Sequence, residues 1–87
     1  MKTAEARLLA VLVEGYLLES SLGRITRGFA TFQVSIVRAK GRLTQPELIR
    51  ALDQLKAQSC VLVGEFDSQA LDVSVTAVGL FRHGGGS

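Results

Sequence analysis

Five cations in this 87-residue chain stand where a polyanion could be held: Arg24 and Arg27 in SSLGRITRG, then Arg38, Lys40 and Arg42 in RAKGR. Each group lies in a short stretch rich in glycine or small polar residues, so each reads as a loop. Between them runs FATFQVSIVR, from Phe29 to Arg38. Cations at both ends of one element could flank a face and neutralise phosphates, with release of counterions. The bland alternative is that all five are solvated loop charges.

Binding to single-stranded nucleic acid also needs aromatic faces on which bases stack. The aromatic residues are Tyr16, Phe29, Phe32, Phe66 and Phe81, with no tryptophan. Phe32 and Phe81 share parity with the apolar residues of their segments, which assigns them to the core. Phe29 has the opposite parity beside the basic loop and is the first stacking candidate, with Tyr16 second. Catalytic chemistry has little to draw on. Ser20, Ser21, Asp67 and Asp72 have no histidine nearby, and His83 sits close to the C-terminal GGGS. Glu14, Glu19, Glu47 and Glu65 show no spacing that pairs two carboxylates or cages a metal. No glycine-rich phosphate loop is present, so the reading is of a non-enzyme with no cofactor, metal or small-molecule substrate.

A chain this short builds one domain around one core. Residues 1–82 are read as that domain and 83–87 as a flexible glycine-rich tail. Apolar residues make up 47% of the chain, which is high for a small soluble domain and predicts burial against another copy or a partner. Ten Lys and Arg against eight Asp and Glu permit an anionic partner without demanding one. A single cysteine, Cys60, rules out an intrachain disulfide and reads as a buried small apolar residue. The apolar run RLLAVLVEGYLL is broken by Glu14 and Gly15, and it is too short for a membrane span. A reducing, cytoplasmic setting is the simplest expectation.

These groups have to be positioned by regular elements. From Leu8 to Leu18 both parities are apolar, which fits a strand covered on both faces or a buried helix. In Phe29–Arg38, Phe32, Val34 and Ile36 alternate with Thr31, Gln33 and Ser35, the pattern of a half-buried strand. Thr44-Gln-Pro-Glu47 forms a capping box with proline in the first turn, and Leu48, Ile49, Leu52 and Leu55 follow at helical spacing. This predicts a helix to about Ala57. Cys60–Phe66 and Leu71–Phe81 then read as a hairpin turning at Asp67–Ala70. The predicted fold is mainly β with one helix, in the order β-β-α-β-β.

Three stretches carry a resemblance to the oligonucleotide-binding fold of bacterial single-stranded DNA-binding proteins and primosomal replication protein B. LVEGYLLESSLGRITRGFATFQVSIVR, Leu12 to Arg38, is similar to that family's first strand, charged loop and second strand, with Leu22 and Arg24 near its leucine-arginine pair. LKAQSCVLVGEFDSQ, Leu55 to Gln69, resembles the run from helix into fourth strand, and LDVSVTAVGLF, Leu71 to Phe81, resembles the last strand. The stretch Arg42–Thr44 leaves no room for the third strand. The resemblance therefore implies a shortened oligonucleotide-binding-like barrel or sheet, completed by a second subunit. It implies sequence-independent binding of single-stranded DNA in replication, recombination or repair, by a homo-oligomer using Arg24, Arg27, Arg38, Lys40 and Arg42 on phosphates and Phe29 and Tyr16 on bases.

Two other readings remain open. If Leu8–Leu18 and Phe29–Ala39 are helices, the capped helix becomes the third and Cys60–Phe81 a wing. That winged helix would bind duplex DNA or a protein. A homo-oligomeric interaction domain without a nucleic acid is the other. Helix content separates the single-strand-binding fold from the winged helix: about one residue in five or fewer favours the former, half or more the latter.

Overall fold

The computed structural model describes residues 2–84. Its elements are α1 (Ala4–Ser21), β1 (Ala30–Gln33), α2 (Val34–Gly41), α3 (Gln45–Ala57), β2 (Val61–Phe66), β3 (Ala70–Val75) and α4 (Ala77–Gly84). More than half of the described residues are helical. The mainly β, barrel-like expectation is therefore wrong: the described residues form four helices and one small antiparallel three-stranded sheet of order β1-β3-β2. Helix, short strand, two helices joined by a tight turn, then a hairpin is the winged-helix order, here followed by a further helix.

α1 begins at Thr3, whose Oγ1 accepts from the Ala6 amide at 3.1 Å. Leu8, Leu9, Leu12 and Val13 are buried, the i, i+1, i+4, i+5 spacing of a helix face rather than a strand. Gly15 sits inside this helix for a packing reason. A Cβ there would run into the Phe32 ring, so the glycine is the notch that receives the aromatic ring. Gly15→Ala gains helix propensity but is expected to destabilise the fold by about 1–3 kcal/mol through overpacking, a loss readable from the midpoint of urea unfolding.

The expected strand Phe29–Arg38 divides in two. Only Ala30–Gln33 is extended, pairing with β3 from Ala30 opposite Val73 to Gln33 opposite Ala70. From Val34 the chain turns helical, burying Val34, Val37 and Gly41 and leaving Ser35 and Ile36 exposed. The alternation that implied a strand was coincidental, because 34, 37 and 41 already provide a helical stripe against α1. α2 and α1 run antiparallel, with Arg7 Nε donating to the Gly41 carbonyl at 2.9 Å at one end and Phe32 beside Gly15 at the other.

α3 agrees with the sequence: Thr44 is the N-cap, the capping box is complete, and Leu48, Ala51, Leu52 and Leu55 are buried. The hairpin β2–β3 also forms, with Asp67 Oδ1 accepting from the Gln69 and Ala70 amides at 2.7 and 2.8 Å across its turn. The pairing slips between Val63 and Phe66, a bulge near the tip. The last strand stops at Val75, not Phe81. Thr76 starts α4, its Oγ1 accepting from the Gly79 amide at 3.1 Å and donating to the Cys60 carbonyl at 2.9 Å. Phe81, expected in the core, is 71% exposed. His83 and Gly84, expected in the tail, close α4, while 85–87 lie outside the described residues.

Candidate nucleic-acid interface

α2 and α3 are joined by Arg42, Leu43 and Thr44, a helix-turn-helix connection. Arg42 ends α2 in the left-handed region, at φ 55°, where glycine is the usual residue. Its amide reaches back to the Ala39 carbonyl, and the Leu43 amide to that of Arg38. Arg7, from α1, locks the turn: its guanidinium donates to the carbonyls of Gly41 at 2.9 Å, Lys2 at 2.8 Å and Arg42 at 3.4 Å. Sequence reading missed Arg7, and no local pattern announces its hold on the turn, because the two turn carbonyls it meets are 34 and 35 residues away.

The turn carries the three cations expected there, and the structure gives them different tasks. Arg38 is half-buried and its Nε donates to the Leu43 carbonyl at 3.3 Å, so it braces the turn. Lys40 and Arg42 are exposed, and their side chains pair with no described residue. They share a shallow cleft with Lys2, Arg7, Val11 and Glu14. Half of the ten cations lie between Val34 and Gln58, namely Arg38, Lys40, Arg42, Arg50 and Lys56, against the carboxylates of Glu47 and Asp53 alone.

α3 turns Ile49, 42% exposed, away from the core, with Asp53 and Lys56 following at i+4 and i+7. Gln45 stands at the start of this face. The face is mixed rather than basic, and the cations stand at its two ends. Glu47 occupies the N-terminal end of α3. The Thr44 amide donates to its Oε1 at 2.9 Å, and this bond holds the carboxyl below the ordinary glutamate range. The helix N-terminus is thus already served by a carboxylate, and Lys40 and Arg42 are the exposed cations of the turn before it.

The other predicted residues lie apart. Counted along α1, Arg7 at the turn and Leu22 before the second loop are separated by about 20 Å. The two cation groups therefore do not flank one strand, as expected; they stand at opposite ends of α1. Arg24 is tied to Glu19 by a 2.6 Å ion pair that raises its pKa. Arg27, at φ 55°, is exposed at the tip of the Thr26–Phe29 turn. The Tyr16 hydroxyl donates to the Gly28 carbonyl at 2.8 Å while its ring packs on the core. Phe29 is half-buried beside Gly64. Neither ring is an open platform for a base.

The β2–β3 hairpin has the opposite charge. Between Val61 and Val75 it carries Glu65, Asp67 and Asp72 and no cation. Among the described residues no group of three or more His, Cys, Asp or Glu could hold a metal ion, and no helix is long and apolar enough to cross a membrane.

No family model, curated protein or solved structure matches the chain. The resemblance to single-stranded DNA-binding proteins thus rests on the quoted stretches alone, and the first of them folds as the end of α1, a loop, a short strand and α2.

Proposed function

We propose that the chain is a winged-helix module that binds duplex DNA through α3 and the turn before it. The observation that carries this reading is the pair of unpartnered cations, Lys40 at the end of α2 and Arg42 in the turn, just before α3, whose outer face is exposed. A B-form major groove admits one α-helix, and recognition helices enter it with their N-terminal residues at the base edges. Lys40 and Arg42 then meet phosphates on one side, and Lys56 meets them at the far end of the helix. Gln45, Ile49 and Asp53 face the groove floor. Their chemistry matches an adenine edge, a thymine methyl and a cytosine amine in turn. Phosphate contacts set the register and the mixed face reads the bases.

The acidic hairpin fits this only if it is held away from the phosphates or meets them through Ser68 and Gln69 at its tip. The module binds and has no catalytic step, and its setting is the cytoplasmic one where chromosomal DNA lies. The single-strand reading loses the barrel groove and the open aromatic platforms on which it depended.

Fluorescence anisotropy with a labelled thirty-base-pair duplex and the matching single strand, at low and moderate salt, tests the reading. Duplex is expected to bind more tightly, with log K against log salt sloping at about −3 for three phosphate-facing cations. Preference for the single strand would restore the earlier expectation, and no binding to either would leave a protein-interaction domain.

A further inference from the structure

α4 is assembled inside out. In a surface helix the large apolar side chains face the core and the outer face is polar. Here the only buried residue is Gly79, while Val78, Leu80 and Phe81 are exposed at 46, 38 and 71%. The helix is nevertheless firmly placed. Thr76 caps its start, Gly79 lies directly on the Cys60 carbonyl, and the Arg82 guanidinium donates to the Gln58 side chain. Two turns of helix are not stable alone in water, so these anchors hold a preformed apolar ridge outward.

α1 packs beside α4. Ala6 and Leu9 share a cleft with Arg82 and His83, which sets the side of α1 that faces α4. Leu17, 51% exposed, lies on that same side, at i+4 from Val13.

We infer that this ridge is a homodimer interface, in which α4 of one copy packs on α4 and the end of α1 of a second copy about a two-fold axis. The amount and the type of exposed surface argue for this occupant. Phe81, Leu80, Val78 and Leu17 together offer on the order of 300–400 Å² of apolar side chain per copy. That is at most half of the ~800 Å² per partner of a standard interface, an area that fits a small, reversible contact between two copies. An isologous contact needs one self-complementary patch, and an apolar ridge with no carboxylate on α4 is free of like-charge conflict except at Arg82 and His83 on its last turn. An antiparallel meeting places those two ends apart. Arg82, on the last turn of α4, meets Gln58 at the C-terminal end of α3. The dimer does not depend on the DNA reading, since it needs no nucleic acid to form.

Sedimentation velocity of the full chain without DNA, from 1 to 200 µM, tests this. The expected result is reversible passage from one to two chain masses, with Phe81→Glu weakening association at least about tenfold as a central aromatic anchor should. Phe81→Ser is the milder companion, and an unchanged far-ultraviolet circular dichroism spectrum for either variant shows the fold intact. A chain that stays at single mass at 200 µM, or a dimer indifferent to both substitutions, overturns the proposal. So does a defined trimer or tetramer, which a two-fold contact cannot give. Loss of duplex binding in a chain that still dimerises would count against the DNA reading only.

Discussion

Gly79→Ala is expected to release α4 from the body of the protein. A Cβ at this position would overlap the Cys60 carbonyl oxygen, a backbone atom that also accepts from the Thr76 amide and hydroxyl. That oxygen is held by the start of β2 and cannot withdraw as a side chain could. Alanine is the better helix former by about 1 kcal/mol, so a propensity argument predicts stabilisation. The packing argument predicts the reverse, a loss of about 1–3 kcal/mol, or several degrees to more than 10 °C in thermal midpoint for a chain of this size. Calorimetry decides the sign. Because the ridge of Val78, Leu80 and Phe81 is presented only while α4 is docked, the same variant is expected to lose self-association even where the rest of the fold survives.

Arg42→Gly is expected to separate stability from binding. A non-glycine residue in the left-handed region carries strain of roughly 1–2 kcal/mol, and arginine here occupies the position where a helix most often ends in glycine. Glycine removes the strain at some cost in unfolded-chain entropy, so a net gain of about 0.5–1 kcal/mol is expected in urea unfolding. The backbone carbonyl that receives Arg7 is kept. The lost guanidinium should weaken duplex binding for all sequences alike and reduce the salt slope by about 1. A variant that is more stable and binds less tightly identifies Arg42 as a residue held in strain for its charge. Equal affinity would remove it from the interface.

The sequence foretold some elements well because their signals are local. The capping box at Thr44 and Glu47 fixes where α3 begins, and Asp67 marks the hairpin turn by bonding amides two and three residues on. α2 and α4 were hidden for a different reason. In α2 the β-branched residues Val34, Ile36 and Val37 follow strand preference, and tertiary packing on α1 outweighs it. In α4 the periodicity reads as a strand because the apolar residues answer to the outside of the molecule, not to its core. Gly15 lowers helix propensity within α1, and the close Phe32 ring is its packing reason.

The candidate site was half legible. RAKGR does cluster at the exposed turn, and its pairing with Arg24 and Arg27 was an artefact of the strand expectation. Glu19, five residues before Arg24, was the available clue that one of those charges is already met. Tyr16 and Phe29 could not be placed from parity alone, because the bond from Tyr16 to the Gly28 carbonyl and the contact with Gly64 join segments that the sequence leaves apart.

Among the described residues the interior contains no polar or charged side chain and no buried polar atom left without a partner. An interior of this kind is defined by volume, with no hydrogen-bonded group to insist on one identity at one site. Aliphatic residues can then be exchanged widely while total volume is kept, and uniqueness is lost before stability. The positions that resist exchange are those where backbone meets backbone or ring, Gly79 and Gly15. In this molecule it is the absent side chain, more than any present one, that holds the fold to a single arrangement.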